Sequence, residues 1–561
     1  MSPLTFDIHA SKAAAPQSSA ARCGTLSTSK PVHGGFTTKR VIETPGCFMY
    51  SSKGSVPHLT PDTMRLQDYG GVNVALEQIL QSDQPASFSK WPSTPTSPKF
   101  TLADYLHLQD LVLFCDLRDF SFSESTSSIS SDTATRTSKL NPNTDRHVLL
   151  STPKGVRQLT LDDYLKVVRQ FQPDIIAALA DNIVDTKESP QKRVRKSIDR
   201  TLKWLDQILV ERQGGDGRAA DRLVEEEKKR RKELKEKRKT MTKEQQQLQH
   251  DRDAASDSVA IQPVSTEPWT DVAVFAHVQV SHLEDERIWS AKETAKRDGV
   301  DGFILNANVL LSTSNKEEAL QQLENSLGYL PSQKPKLVYG IHAPEDVLKA
   351  VALGVDLFDT MYPFQLTEDG KASLFYFGES ATPGAVAAAS TLSSSSTNRW
   401  INLWDDEHGD KFVPILDGCE CYACKGNRHT RAYINHLLKT HEMLATVLLM
   451  SHNMYQYSRF FAAVREAVKT GTIEQHANAF HKTFGVEPIR TGEKHAAQII
   501  VEAALTKRNQ RLETAEPAVV DAIGSGDYDA KKRADSEDDA DRENKRTRKV
   551  QEKEALMEDV A

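Results

Sequence analysis

Three cysteines fall within six residues in the run Asp417-Gly418-Cys419-Glu420-Cys421-Tyr422-Ala423-Cys424-Lys425-Gly426. Thiolates spaced Cys-x-Cys-x-x-Cys in a turn-rich stretch can converge on one ion, and tetrahedral Zn2+ is the usual partner of soft sulfur donors in a reducing setting. Half of the chain's six cysteines sit here, so the group reads as a metal site. The fourth donor must come from elsewhere. His429, His436, His441 and His452 all follow, on or near a helical stretch over 430–461, and spacing does not choose among them. Three cysteines and one histidine leave no open position for substrate, so the predicted zinc, one ion per chain, is structural. Cys23, Cys47 and Cys115 are scattered and read as buried small apolar residues.

The surrounding elements alternate between strand and helix. A short apolar run over 174–180 follows a proline and precedes an amphipathic helix over 190–209. Strand signals recur at 272–280, 302–305, 336–341 and 355–359, with helix signals at 287–297, 316–327 and 344–353 between them. Repeated strand-helix units build a parallel sheet, and this many in series favour an α/β fold of the (β/α)8 TIM type over an open doubly wound sheet. Asp181 and Asp359 end two of these strands, at the face where barrels carry their chemistry. A strand-end carboxylate can also merely cap the following turn. Lone His58 and His277 read as satisfied structural histidines.

The chain has 561 residues, 38% hydrophobic and 27% charged, with a formal net charge of −7. That acidity argues against generic nucleic-acid coating. No window approaches the roughly 18 consecutive apolar residues of a membrane span. The first residues show no basic cluster followed by an apolar stretch, and six cysteines are too few for a disulfide framework, so an intracellular setting is expected.

Residues 1–38 are Ser/Ala/Pro-rich and read as largely disordered, with order beginning around the Pro45-Gly46 turn. One interrupted body is expected over 39–511, with low-complexity insertions at about 121–144, 213–263 and 379–399 and a zinc subdomain at about 412–462. Within the second insertion, 225–239 is nearly all Glu, Lys and Arg and has no face to bury. A charged tail over 512–561 carries the basic cluster Lys545, Arg546, Arg548 and Lys549, which reads as solvated disorder, with phosphate contact or nuclear import as the functional alternatives.

The cysteine run, followed by Thr430-Arg431-Ala432-Tyr433-Ile434-Asn435-His436-Leu437, Glu442-Met443-Leu444 and Met450-Ser451-His452-Asn453, resembles the zinc subdomain of the tRNA-guanine transglycosylases. Pro344-Glu345-Asp346 leading to Gly354-Val355-Asp356-Leu357-Phe358-Asp359, and Arg193-x-Arg195-Lys196-Ser197-x-x-Arg200-Thr201-Leu202, extend the similarity through most of the body. The resemblance implies a (β/α)8 barrel with an inserted zinc subdomain, and His452, from the family's His-Asn pair, as the fourth ligand. It also places Asp359 at the nucleophile position, Asp181 and Gln279 at base-contacting positions, and Asp116 at the general-base position.

Other family features are missing. A Ser-Gly-Gly-Phe-Gln turn is replaced by Asp116-Leu117-Arg118-Asp119-Phe120, a Gly-Gly-Leu-Ala-Val-Gly-Glu segment by Ile304-Leu305-Asn306-Ala307-Asn308-Val309, and a loop with two arginines by Phe364-Gln365-Leu366-Thr367-Glu368. Larger side chains are therefore expected to fill the base pocket, leaving Asp359, Asp181, Gln279 and Asp116 vestigial. The runs Thr44-Pro45-Gly46-Cys47 and Gly54-Ser55-Val56-Pro57-His58-Leu59-Thr60 resemble the family's eukaryotic non-catalytic branch. What that implies is an accessory subunit that pairs through its zinc subdomain with a catalytic queuine tRNA-ribosyltransferase subunit. The pair would exchange guanine for queuine at the wobble position, 34, of tRNAs with GUN anticodons. A cytoplasmic location follows, with peripheral association to the mitochondrial outer membrane. The competing expectation is an active transglycosylase that uses Asp359. No other cofactor is expected.

Overall fold

The computed structural model describes residues 3–9, 20–31, 37–80, 101–119, 143–152, 155–182, 189–215, 268–313, 315–378 and 399–485. The insertion readings over 121–142, 216–263 and 379–398, and the tail over 512–561, lie outside these residues.

Eight parallel strands close into a barrel. In chain order they are β4 (Gly46–Tyr50), β5 (Gly71–Ala75), β6 (Val112–Asp116), β9 (Ile175–Ala177), β10 (Ala273–Val278), β11 (Gly302–Asn306), β12 (Lys336–Tyr339) and β13 (Leu357–Asp359), and β13 pairs with β4 to complete the ring. The intervening strands β7 (His147–Thr152) and β8 (Gly155–Thr160) form a hairpin outside it. The longer helices are α1 (Leu161–Phe171), α2 (Gln191–Arg212), α3 (Glu284–Ala295), α4 (Lys316–Leu327), α5 (Pro344–Ala352), α6 (Met361–Glu368), α7 (Arg431–Lys439), α8 (Met443–Thr470) and α9 (Ile473–Phe484).

Strand alternation decides what faces the lumen. Phe48, Phe114, Phe275, Ile304, Leu337 and Leu357 pack inward, while their neighbours Cys47, Cys115, Ala276, Leu305, Val338 and Phe358 pack outward under the helices. Gly302 makes room for this filling, because a Cβ there would lie 2.6 Å from the Phe275 ring. Two residues further along the same inward face, each strand reaches the barrel's C-terminal rim. There the inward set becomes polar: Tyr50, Asn73, Asp116, His277, Asn306 and Asp359.

The expectation of a disordered start does not hold for the described part of residues 1–38. Strands β1 (Leu4–His9), β2 (Cys23–Pro31) and β3 (Thr37–Thr44) form an antiparallel sheet. Leu4, Leu26 and Ile42 from this sheet join the lumen cluster, closing the end of the barrel opposite the rim. Arg40 fixes it there: Nη1 donates to Asp174 Oδ1 at 2.7 Å, and Nε donates to the Gln109 carbonyl. The helix read as continuous over 430–461 is two helices, α7 and α8, because His441 takes a left-handed φ of 57° between them. Strands β14 (Lys371–Ser373) and β15 (Trp400–Asn402) pair beside them, and Ala372, Leu374, Ile415, Ile434 and Leu448 form a separate small core around the cysteines. That core begins upstream of the 412 boundary read from the sequence.

Candidate metal centre and barrel mouth

Cys419, Cys421 and Cys424 come from the loop before α7, and His452 comes from the N-terminal half of α8. Gly418 at φ 71° and Gly426 at φ 66° bracket the loop with left-handed turns, which glycine adopts without a Cβ penalty. All four side chains are buried, and their donor atoms lie within 4.8 Å of one another. His452 Nδ1 stands 3.7, 3.5 and 3.4 Å from the sulfurs of Cys419, Cys421 and Cys424. A tetrahedral ion with Zn–S of about 2.3 Å and Zn–N of about 2.0 Å requires S···N separations of about 3.5 Å. The group can therefore hold such a metal without rearrangement. Of the four histidines that spacing left open, His452 is the one in the cluster; His436 and His441 are exposed, and His429 stacks on Tyr433.

The outer contacts orient the donors. His452 Nε2 donates to the Ser373 carbonyl at 2.8 Å, which leaves Nδ1 to face the sulfurs. Gln456 Nε2 donates to Cys419 Sγ at 3.2 Å, and the Cys424 amide donates to Cys421 Sγ at 3.3 Å. Hydrogen bonds among the three thiols lower the Cys419 thiol and raise the Cys421 thiol. Asn453 locks β14 in place. Its Oδ1 accepts from the Ser373 amide at 2.8 Å, and its Nδ2 donates to the Lys371 carbonyl at 2.9 Å and to Thr367 Oγ1 at 3.0 Å. Thr367 lies on α6, the helix that begins just after Asp359. The His-Asn pair thus joins the cysteine loop to the barrel.

At the barrel mouth the four residues singled out from the sequence are all buried or half-buried, and each has a partner within the chain. Asp116 Oδ2 lies 3.3 Å from His277 Nε2. Asp359 Oδ1 accepts from the Met361 amide at 2.9 Å and lies 3.1 Å from His342 Nδ1. Its Oδ2 has no hydrogen-bond partner among the described residues. Gln279 Nε2 donates to Thr201 Oγ1 and Asn182 Oδ1 at 3.3 and 3.4 Å.

Asp181 is held most tightly. Asn143 Nδ2 donates to its Oδ1 at 2.7 Å, Arg193 Nη1 donates to Oδ2 at 3.1 Å, and Arg200 Nη1 donates to the same oxygen. Arg200 Nε also donates to Asp145 at 2.9 Å.

The expected filling of the mouth is corrected at Leu117 and Arg118, whereas Asn306, from the segment that replaces the glycine-rich run, does face it. Leu117 packs in the layer between barrel and helices, not in the lumen. Arg118 turns away to donate to the Leu149 carbonyl at 2.7 Å. The rim also holds Phe364 and Glu368, from the loop that replaces two arginines, in pairings that spacing could not assign. Tyr50 donates to Asp119 at 3.2 Å, its ring lies 5.2 Å from Phe364, and Phe364 stacks on His58. His58, read as structural, meets Glu368 at 2.6 Å. His342 and Asn143 were not singled out, because nothing local marks a histidine or asparagine that meets an acid far away in the chain. Arg193 and Arg200 stood only as members of a helix motif, and their spacing along that helix says nothing of a shared carboxylate.

Residues 17–485 match the family described as Queuine tRNA-ribosyltransferase. Queuine tRNA-ribosyltransferase accessory subunit 2 of Gallus gallus is 29% identical over 452 residues, covering 77% of this chain and 88% of that protein. The proteins of the same name from Homo sapiens and Xenopus laevis are 29% and 30% identical, covering 80% and 79% of this chain and 94% and 93% of their own lengths. A family match across most of the described body, on a closed barrel with a Cys3His group beside it, shows that the chain belongs to the queuine tRNA-ribosyltransferase family.

Proposed function

We propose that this chain is a non-catalytic accessory subunit. It pairs with a catalytic homologue and supports that partner's exchange of guanine for queuine at the wobble position of tRNAs with GUN anticodons. The observation that carries this reading is the similarity, over most of the chain, to relatives named accessory subunits. At the mouth, Asp181, which the resemblance places at a base-contacting position, already accepts from three donors of its own chain, leaving roughly one of its four acceptor sites. Asp359 keeps one unbonded oxygen, but a nucleophile without a held base has nothing to displace productively.

The pairing surface in this reading is the subdomain around the cysteines. Among the described residues, the large apolar side chains Phe412, Val413, Tyr422, Tyr433, Met443 and Leu444 are exposed within this one short stretch, Phe412 at 78% and Met443 at 84%. A concentrated exposed apolar patch marks a protein interface. Zinc, held by Cys419, Cys421, Cys424 and His452, would supply the rigidity that keeps this loop folded against α8.

Cytoplasmic residence, with peripheral attachment to the mitochondrial outer membrane, belongs to the same reading. No described helix is long and apolar enough to cross a membrane. Release of the chain from membranes by alkaline carbonate checks that attachment.

The deciding experiment measures guanine release from tRNA by the isolated chain, by the catalytic homologue and by their mixture. Activity in the mixture alone, unaffected by Asp359→Asn in this chain, is the expected result. Exchange by the isolated chain that Asp359→Asn abolishes would overturn the reading in favour of an active transglycosylase.

A further inference from the structure

One side of the rim carries a row of rings. Tyr50 ends β4, the strand beside the one that carries Asp359, and its ring centroid lies 5.2 Å from that of Phe364 on α6. His58, in the loop after β4, stacks on the same Phe364 ring at 6.3 Å with 18° between the planes. Its Nε2 lies 2.6 Å from Glu368 Oε1. Phe364 and Glu368 are four positions apart on α6, so one face of that helix supplies both. The row runs from the buried mouth out to solvent: Tyr50 is 3% exposed, and the side chains of His58 and Glu368 are 27% and 35% exposed.

The inner end is anchored on several loops. The Tyr50 amide donates to Thr360 Oγ1 at 2.9 Å, and its hydroxyl donates to Asp119 Oδ2 at 3.2 Å. Asp119 in turn accepts from Gln78 Nε2 at 2.7 Å, and its amide donates to Glu77 Oε1 at 2.8 Å. Gln78 Oε1 accepts from the Lys53 amide at 2.6 Å. The loops after β4, β5 and β6 are thus tied to α6 as one strap on this side of the mouth.

The strap draws on stretches where this chain departs from the catalytic pattern. His58 belongs to the run over 54–60 that resembles the non-catalytic branch, and Phe364 and Glu368 belong to the stretch that replaces a loop with two arginines. The change of charge matters to a polynucleotide. An arginine at the rim would attract a phosphate, whereas a carboxylate repels one. With His58 beside it, Glu368 makes a pair that is neutral at best and negative when the imidazole is uncharged. The Phe364 ring is already packed against Tyr50 and His58, so a base entering here would have to part them.

We propose that Tyr50, Phe364, His58 and Glu368 form a cap that turns an anticodon away from this mouth, so that a tRNA held by the paired subunits enters the catalytic partner's mouth alone. The proposal rests on the non-catalytic reading and adds the device that tells two similar barrels apart. Discrimination of this kind uses a repulsive element at the wrong site as well as an attractive one at the right site.

The test is binding of a stem-loop with a GUN anticodon, read by filter retention across a salt series. It compares the unmodified full-length chain with Phe364→Ala/Glu368→Arg and with Glu324→Arg, which makes the same charge change at an exposed position in the last turn of α4, at the end that points away from the rim. The cap variant is expected to bind roughly tenfold more tightly than the unmodified chain, the worth of one charge-assisted contact, with log K falling more steeply with log salt by about 0.7 to 0.9. Glu324→Arg should change neither. Equal gains in the two variants would mean that net charge alone is read, and overturn the proposal. So would a cap variant that is folded by circular dichroism, retains its metal and gains no affinity.

If that variant does not fold, His58→Gly takes its place. It removes the outer ring and the Glu368 contact at a left-handed φ of 61° that glycine adopts freely; tighter stem-loop binding upholds the proposal, and unchanged binding refutes it. Within the complex, a photoreactive wobble nucleotide should crosslink to the partner alone when this chain is unmodified, and also to this chain when the cap is removed. Crosslinks to the unmodified chain within 50–60 or 361–368 would refute the cap. Guanine exchange by the isolated, unmodified chain would sink the non-catalytic reading, whereas unchanged binding by folded cap variants sinks only the cap.

Discussion

Replacing Asn453 with alanine removes the clamp between the cysteine loop and the barrel. The side chain is 1% exposed and makes four hydrogen bonds: from the Ser373 amide at 2.8 Å and hydroxyl at 3.1 Å, and to the Lys371 carbonyl at 2.9 Å and Thr367 Oγ1 at 3.0 Å. The Ser373 and Thr367 hydroxyls can turn to other partners. Thr367 already donates to the Pro363 carbonyl. The Ser373 amide and Lys371 carbonyl cannot turn, and alanine offers them neither acceptor nor donor. Each stranded backbone group costs about 1–3 kcal/mol, so the expected loss of stability is about 2–6 kcal/mol.

A second effect follows from position, because the Ser373 carbonyl is the acceptor that orients the His452 ring. Loss of such an outer contact costs roughly 10- to 100-fold in metal affinity. Urea unfolding followed by tryptophan fluorescence measures the first quantity, and competition with a chromophoric zinc chelator measures the second. A loss below about 1 kcal/mol together with an unchanged zinc affinity would refute the reasoning, because it would mean that β14 and His452 are held without Asn453.

Cys421→Ser and His452→Ala should each abolish stoichiometric zinc, whereas His436→Ala should leave it intact; metal analysis of purified protein decides, and retention of zinc by His452→Ala would remove that residue from the site. Leu444→Asp on the exposed patch should weaken co-purification with the catalytic homologue while zinc content stays unchanged, and undiminished pairing would place the interface elsewhere. Lys336 gives a pH prediction. Burial, with Arg22 nearby, lowers its amine from 10.5 to about 8. Between these values the folded chain binds fewer protons than the unfolded one, so stability rises with pH through that window. At pH 7 the buried charge costs up to roughly 3 kcal/mol, and Lys336→Met should be more stable there by an amount that fades above about pH 10.5. Urea midpoints at pH 7 and 10.5 measure it, and an equal gain at both would assign the effect to packing.

The parts of this protein that were legible in the sequence are those governed by neighbours along the chain. Cys419, Cys421 and Cys424 lie close enough that any turn brings them together. The strand and helix signals from 272 to 359 arise from local periodicity, and lumen-facing positions follow from strand alternation, which is how Asp116 and Asp359 come to the rim. The first strands were obscured because β2 contains a single large apolar side chain, Leu26, and its order comes from pairing with β1 and β3 and from the barrel floor. The break at His441 was hidden because the flanking apolar residues continue across it.

What required the tertiary structure was every choice among distant partners. His452 is selected from four histidines by the way α8 packs over the loop, and Arg200 reaches Asp181 only because α2 folds back along the rim. Spacing along a chain constrains what can meet within a few residues. Which charge meets which across the barrel depends on the closure of the whole sheet, because only that closure sets their distance and removes the water between them.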